Sequence, residues 1–188
     1  MVNDLEAWYD REGVDFLEKI GIKKGYTVLD FGCGRGHYTI PASKLVGNIG
    51  MVYALDSNQV ALNDLEKVVE KKGIGNVESI DSIKDFSLVN EAVDVALCYD
   101  VLHYMDFSER KVVYSDIHRV LRKNALFSVY PKHSKGNLPS GELADVTIRE
   151  IVGEVESVGF VIFEEAKRKL LHDGRFEKGL ILNFRKGE

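Results

Sequence analysis

Three glycines at alternate positions follow an apolar run that contains an acid. Residues 28–31 include Asp30, and Gly32, Gly34 and Gly36 come directly after them. A strand that turns at once into a helix needs such glycines, because glycine adopts dihedrals closed to other residues and lets a ligand lie against the backbone. The N–H groups at the start of the following helix point, unpaired, into the same space. This stretch therefore predicts a strand–turn–helix ligand site, with Asp30 at the carboxyl end of the strand.

A second acid indicates the kind of ligand. The apolar run at 51–55 ends at Asp56, about 20 residues past the glycines, the spacing at which an acid binds ribose hydroxyls in dinucleotide folds. The dinucleotide fingerprint spaces its glycines G-x-G-x-x-G, whereas here His37 stands where the last glycine would fall. Asp30 would repel a phosphate but suits an ammonium group. The ligand implied is a nucleoside with a cationic tail and without a phosphate.

The pattern Asp30-x-Gly32-x-Gly34-x-Gly36, with Asp56 ending the next strand, resembles the cofactor-binding core of class I S-adenosylmethionine-dependent methyltransferases. The resemblance runs from about residue 25 to the C-terminus. It implies S-adenosylmethionine as the cofactor and S-adenosylhomocysteine as its product. The cofactor-contacting residues that it implies are Asp30, Gly32, Cys33, Gly34, Gly36, Asp56, Ser57, Asp81, Ser82 and Tyr99.

Two of these assignments leave alternatives open. Asp30 either binds the ammonium group of the cofactor, directly or through water, or orients the glycine loop. The adenine amino group would meet either Asp81 or Ser82, since both follow the third predicted strand. Both residue types are also common in loops.

The stretch after the fourth predicted strand is where the methyl group and its acceptor should meet. Residues 98–105 resemble the Asn-Val-Leu-His-His stretch of many small-molecule members of this family. They do not match the Asp/Asn-Pro-Pro-Tyr/Phe motif of enzymes that methylate exocyclic amines. His103 is the candidate general base, because imidazole titrates near neutrality. The alternative is a histidine that packs this loop onto the cofactor.

Three aromatic residues are candidates for a substrate pocket or a lid, namely Trp8, Tyr9 and Tyr104. In related enzymes a helix ahead of the first strand closes over the cofactor, and aromatic faces attract its sulfonium cation. Trp8 and Tyr9 lie in such a helical stretch. The alternative is that both are ordinary core or surface aromatics.

The order of apolar and amphipathic stretches predicts an α/β fold with a doubly wound, mostly parallel seven-stranded sheet and helices on both faces. The resemblance implies that the last two strands form a C-terminal antiparallel hairpin. Parallel strands are predicted at 27–31, 51–55, 77–80, 93–99 and 124–130. The hairpin strands are predicted at 160–165 and 178–184, joined by an irregular segment, and a weak segment lies at 83–90. Helices are predicted at 4–20, 37–45, 58–72, 109–121 and 147–158. Gly13 is expected to break the first helix, and Ser57 and Ser108 to cap the third and fourth.

Composition narrows the function classes. A chain of 188 residues fits one domain by the length prior, with an N-terminal helical segment at 1–24 and a Rossmann-like core at 25–188. The net charge of −5 argues against a nucleic-acid surface. Cys33 and Cys98 offer neither a disulfide framework nor metal-ligand spacing, so no metal is expected. The acidic N-terminus and the absence of a long apolar run predict a cytoplasmic protein without a membrane segment.

These observations together favour a methyltransferase that acts on a small-molecule acceptor. The alternatives are a methyltransferase acting on a protein or tRNA, and a non-catalytic module that keeps the cofactor pocket. A nicotinamide-dependent oxidoreductase is disfavoured by the glycine spacing. The oligomeric state stays open.

Overall fold

The computed structural model describes residues 3–81 and 90–187. It contains a seven-stranded sheet in the order β3-β2-β1-β4-β5-β7-β6, with helices around it. The strands are β1 (Thr27–Phe31), β2 (Met51–Leu55), β3 (Val77–Ile80), β4 (Val93–Tyr99), β5 (Leu121–Tyr130), β6 (Phe160–His172) and β7 (Arg175–Lys186). The helices are α1 (Asp4–Ala7), α2 (Gly13–Ile20), α3 (Thr39–Val46), α4 (Gln59–Lys72), α5 (Phe107–Val120) and α6 (Ile148–Glu156). The predicted fold class is confirmed.

The described chain forms two compact units, of which the first comprises residues up to 81 together with 169–178. In it, β1 pairs in parallel with β2 from Thr27 opposite Met51 to Phe31 opposite Leu55, and β2 pairs in parallel with β3. The carboxyl ends of parallel strands meet at one edge of a sheet, so the loops that follow β1 and β2 lie side by side. This register places the glycine loop beside the residues that follow β2.

The tip of the β6–β7 hairpin completes the first unit. The Tyr38 hydroxyl donates to the carbonyl oxygen of Leu171 at 3.0 Å. The backbone N–H of Phe176 donates to Asp4 Oδ2 at 2.9 Å. A short segment near the C-terminus is therefore tied to the helices at the N-terminus.

The second unit comprises residues 90–168 and 179–187. Here β4 pairs in parallel with β5, and β5 pairs antiparallel with β7. Tyr99 lies opposite Tyr130 at the carboxyl ends of β4 and β5. The loops that follow these two strands therefore start at the same edge. A single domain over the whole chain stays a prediction, as does the cytoplasmic location; no helix among the described residues is long and apolar enough to cross a membrane.

The predicted irregular segment between the last two strands is wrong. β6 continues to His172 and β7 begins at Arg175, so the connection is the two-residue turn Asp173-Gly174. These residues have φ values of 48° and 74°, and Asp-Gly is a preferred pair for the hairpin turn that needs positive φ at both central positions. The weak segment at 83–90 lies outside the described residues except for Asn90.

Two predicted helix caps are wrong by one or two residues. Asn58, not Ser57, caps α4, because its side-chain oxygen accepts hydrogen bonds from the N–H groups of Val60 and Ala61. Asp106, not Ser108, caps α5, and it forms a reciprocal capping box with Glu109. An amide or carboxylate oxygen is a strong acceptor for the free N–H groups of a first helical turn.

Gly13 does not break the N-terminal helix. α1 continues through one π-helical turn, Trp8–Glu12, into α2, and Gly13 has a helical φ of −69°. A Cβ at Gly13 would lie 2.8 Å from Trp8 Cε2 and 2.9 Å from the Trp8 carbonyl oxygen. Glycine is needed here because the buried indole ring lies against the helix backbone.

We predict that Gly13→Ala lowers the free energy of unfolding by about 1–3 kcal/mol, the cost of overpacking a filled core. Gly153→Ala is the matched control, because Gly153 lies within α6 and a Cβ there meets nothing within 4 Å. The control should gain up to about 1 kcal/mol from helix propensity. Urea denaturation of both variants checks this, and equal gains at the two positions would contradict it.

Candidate functional site

The glycine loop after β1 faces open space at its centre. Gly32, Gly34 and Gly36 all have positive φ, at 74°, 53° and 81°. A Cβ on Gly34 would meet nothing within 4 Å, whereas one on Gly36 would overlap Leu65 Cδ1 of α4. Gly34 can therefore lie against a ligand, while Gly36 also lets the loop pack closely on a helix. Whether Gly36 contacts the cofactor stays a prediction.

Hydrogen bonds pin the loop to the end of β2. The backbone N–H groups of Gly32 and Cys33 both donate to the Leu55 carbonyl oxygen, at 2.8 and 3.0 Å. The Cys33 side chain is buried in a cluster with Ile40, Ala54, Leu62 and Leu65. Burial raises the pKa of the Cys33 thiol well above its usual range. Only the backbone of Cys33 is thus suited to a ligand contact.

Asp56 connects the glycine loop after β1 to the start of α4 after β2. Its Oδ2 accepts a hydrogen bond from Gly34 N at 2.7 Å, and its Oδ1 accepts one from Asn58 N at 2.8 Å. An ionised carboxylate has about four acceptor positions, so each oxygen keeps capacity for a ribose hydroxyl. Ser57, the next residue, is exposed. Asp81 is exposed directly after β3, and Ser82 lies outside the described residues.

Asp30 is the most deeply buried acid of the site, with 2% of its surface exposed. Thr39 Oγ1, in the first turn of α3, donates to its Oδ2 at 2.5 Å. Burial raises the pKa of Asp30 to about 6; the Thr39 hydrogen bond opposes this shift, and the nearby charge of Asp56 adds to it. The sequence left two roles open for Asp30, orienting the glycine loop or binding the ammonium group of the cofactor. The hydrogen bond with Thr39 supports the first role, and the second stays a prediction.

The N-terminal aromatics differ in their environments. Trp8 is only 1% exposed, and its indole N–H donates to the carbonyl oxygen of His37 at 2.8 Å, just past the glycine loop. Its ring packs edge-on against Tyr38, with the centroids 5.3 Å apart. Tyr9 is half-buried, and burial raises its pKa to about 12. Trp8 therefore packs against the residues that directly follow the glycine loop. A lid role for Trp8 or Tyr9 stays a prediction.

The second unit carries a separate group of polar side chains after β4 and β5. Asp100 has a φ of 56°, and its Oδ1 lies 3.7 Å from His103 Nδ1 and 3.3 Å from His133 Nε2. The two imidazole rings have centroids 4.1 Å apart, and His103 also packs against Tyr104 at 3.9 Å. Tyr104 is 76% exposed. The side chain of Tyr99 is buried, with its hydroxyl 2.7 Å from Ser128 Oγ.

His133 belongs to this polar group, and the sequence analysis did not single it out. It follows β5 by three residues, and His103 follows β4 by four. Because adjacent parallel strands end at one edge, a histidine shortly after each of two neighbouring strands is the signal that could have found this pair.

The glycine turn, the hydrogen-bonded carboxylate of Asp56 and the parallel strand order are typical of an α/β protein that binds a nucleoside-type cofactor. The sequence profile of a methyltransferase domain family matches residues 22–157. The chain belongs to this family of methyltransferases, and S-adenosylmethionine is the cofactor that membership implies.

Similarity to individual proteins is partial in sequence and extensive in fold. A segment of 60 residues is 50% identical to a probable cobalt-precorrin-6B C(15)-methyltransferase of Saccharolobus solfataricus, covering 32% of this chain and 30% of that protein. A segment of 106 residues is 28% identical to a 23S rRNA (uracil-C(5))-methyltransferase of Acinetobacter baylyi, covering 50% of this chain and 23% of that protein. The chain thus spans less than a third of the length of either relative.

The fold of a SAM-dependent methyltransferase from Aquifex aeolicus superposes with a TM-score of 0.76 at 22% identity. The match covers 99% of this chain and 100% of that one. At this identity the match bears on the fold alone.

We predict that Asp30→Asn changes the pH dependence of stability. The folded-state pKa of about 6 lies above the ordinary value of 3.8, so the contribution of Asp30 to stability is full below about pH 4 and is lost as pH rises through 6. The shift corresponds to about 3 kcal/mol. Asparagine does not titrate, so the stability of the variant relative to wild type should rise by about that amount from pH 4 to 7. Urea denaturation across this range checks it, with the exposed Asp15→Asn as control; parallel curves would contradict the prediction.

Proposed function

We propose that this protein transfers a methyl group from S-adenosylmethionine to the nucleophilic atom of a small molecule. The observation that carries the proposal is the 2.7 Å hydrogen bond from Gly34 N to Asp56 Oδ2. It joins Gly34, where a Cβ would meet nothing within 4 Å, to Asp56, whose carboxylate has capacity for ribose hydroxyls. A nucleoside with a cationic amino-acid tail matches both parts.

The residues of the first unit have separate tasks in binding. The backbone at Gly34 gives the cofactor a close approach, and Asp56 accepts hydrogen bonds from the ribose. Asp30 supplies negative charge beside the loop and fixes the start of α3 through Thr39. When bound, S-adenosylmethionine supplies an electrophilic methyl group and a neutral thioether leaving group. Most of what the protein adds is alignment of the nucleophile with the methyl group and exclusion of water.

Two observations support a small-molecule acceptor, namely the few cationic residues after β5 and the substrate for which one relative is named. Nucleic-acid binding rests on many phosphate contacts, and the segment after β5 offers only Lys132, His133 and Lys135 between 131 and 145. The relative from S. solfataricus is named for a precorrin substrate. The relative from A. baylyi is named for rRNA, so RNA is the second candidate acceptor.

We predict that the protein binds S-adenosylhomocysteine and that Asp56→Ala weakens this binding by about 1.5–3 kcal/mol, the worth of hydrogen bonds to a charged group. Isothermal titration measures it. The variant should also lose stability, since Gly34 N loses its acceptor, so the titration is run well below the melting temperature. Asp15→Ala, which removes an exposed acid of α2, is the control. Tight NADH binding without S-adenosylhomocysteine binding would refute the assignment.

We predict that a panel of phenols, thiols and acidic carbon compounds includes an acceptor that gives S-adenosylhomocysteine, and that tRNA and rRNA transcripts give none above background. The physical reason is the shortage of cations around the acceptor-side segments. Release of S-adenosylhomocysteine is followed by mass spectrometry. Robust methylation of a transcript would favour the RNA candidate. Cofactor binding without turnover on any acceptor would favour a non-catalytic module.

A further inference from the structure

We propose that two copies of this chain associate through the outer edge of β6, by antiparallel pairing of residues 163–168 about Ala166. These residues all belong to the second unit. The association is independent of the proposed methyl transfer, because it concerns the edge of the sheet and assigns no residue to the reaction.

β6 lies at one end of the sheet. It follows β7 in the strand order, and no strand of the described chain lies on its other side. An edge strand presents unpaired backbone N–H and C=O groups, which natural proteins often protect with proline or bulges. Residues 160–168 contain no proline, and none of them has a positive φ. The N–H of Ile162 donates to Glu156 Oε1 at 3.3 Å, so the part of this edge that can pair with another strand begins after Ile162.

Exposed apolar side chains lie on one face of the same strand. Val161 and Phe163 are 57% and 48% exposed, and the guanidinium carbon of Arg185 in β7 lies 4.6 Å from the centre of the Phe163 ring. A second strand beside β6 would extend this face. Phe163 would then lie diagonally across from Lys167 of the second copy, whose aliphatic stem can cover the ring. Pairing would therefore remove apolar surface from water.

The charges of β6 are complementary to themselves when the strand is reversed. Glu164 and Glu165 precede Ala166, and Lys167 and Arg168 follow it. In an antiparallel pair centred on Ala166, Glu165 lies opposite Lys167 of the second copy, and Glu164 lies opposite Arg168. Two-fold symmetry makes each of these pairs occur twice. Lysine at an edge usually opposes strand pairing, but opposite charges directly across two strands stabilise it.

The same charges select one register. A two-fold axis perpendicular to the sheet pairs side chains of the same face, so it must pass through a residue position. A centre at Glu165 would place Glu165 against its own copy, and a centre at Lys167 would place Lys167 against its own copy. Like charges directly opposite each other destabilise a strand pair. Ala166 at the centre brings only two methyl groups together, so this register avoids both repulsion and overlap.

The two oppositely charged pairs lie on different faces of β6. Glu164 accepts hydrogen bonds from Arg168 Nη2 and from Asn183 Nδ2, both at 2.6 Å, so this pair is already ordered within one copy. Glu165 and Lys167 are exposed on the other face. They are the residues to test, because side chains alternate between faces and changing them leaves the Glu164 contacts in place.

The expected dimer is weak. Six residues of a strand span about 20 Å, whereas a standard interface buries about 800 Å² of each partner over a broad patch. Association through one strand should therefore depend on protein concentration. It should also weaken as salt is added, because the ion pairs are exposed and are screened.

The first test measures molar mass by light scattering in low salt, at concentrations that rise to about 1 mM, which covers the affinity expected of an interface this small. The wild-type mass should rise from that of one chain to that of two and go no further, because a two-fold contact is closed. A wild type that stays monomeric would overturn the proposal and leave this edge to a different partner. Failure here and failure to bind S-adenosylhomocysteine are distinguishable, since the two measurements are separate.

The second test reverses the charges one at a time. Glu165→Lys and Lys167→Glu should each weaken the dimer by about tenfold or more, because each places two like-charged pairs across the interface. An equimolar mixture of the two variants should restore association. In the mixture, positions 165 and 167 are both lysine in one chain and both glutamate in the other, so every pair is again of opposite charge.

Matched controls are Glu66→Lys and Lys71→Glu, which reverse charges at exposed positions of α4. They should dimerise like the wild type, and thermal melts of all four variants check that each is folded. Variants at 165 and 167 that dimerise like the wild type, or a mixture of the two that stays monomeric, would overturn pairing in this register.

Discussion

The hydrogen bond between Gly34 N and Asp56 Oδ2 is the contact on which the cofactor site depends. Parallel pairing of β1 with β2 brings the loops that follow these two strands to one edge of the sheet. Pairing alone does not fix the backbone conformation of the glycine loop. The Asp56 carboxylate stabilises one conformation of the loop by accepting a hydrogen bond from Gly34 N. The Leu55 carbonyl oxygen holds the first residues of the loop by accepting hydrogen bonds from two N–H groups. The acid that we propose to bind the ribose is therefore also the residue that fixes the conformation of the glycine loop.

The negative charge of the buried Asp30 carboxylate lowers the stability of the fold. A carboxylate with 2% exposure loses most of its hydration, and the hydroxyl and backbone N–H of Thr39 replace only part of it. Such a group is typical of functional sites, where stability is exchanged for chemistry. A cationic ligand tail near Asp30 would recover part of this energy on binding. Binding of such a ligand would then change the electrostatics around Asp30 even without movement of the backbone.

The sequence predicted the bounds of β1 to β4 because each is an apolar run closed by polar or glycine residues, which is a local signal. It failed where a side chain elsewhere decides the outcome. Gly13 reads as a helix breaker until the Trp8 ring is seen against it, and Ser57 reads as a cap until Asn58 is seen to accept two N–H groups. The hairpin itself was predicted, but its two-residue turn was missed although Asp173-Gly174 marks it. His133 was not singled out because its contact with Asp100 joins residues that are distant in sequence.

The tie between the hairpin tip and the N-terminal helices has a consequence for biosynthesis. Tyr38 contacts Leu171, and Asp4 contacts Phe176, across 133 and 172 positions of the chain. Contacts this distant in sequence form late, because a long loop must close first. During translation, β1, β2 and the glycine loop leave the ribosome long before the segment at 169–178 that completes their unit. The first unit can therefore be completed only after residues 169–178 have been synthesised.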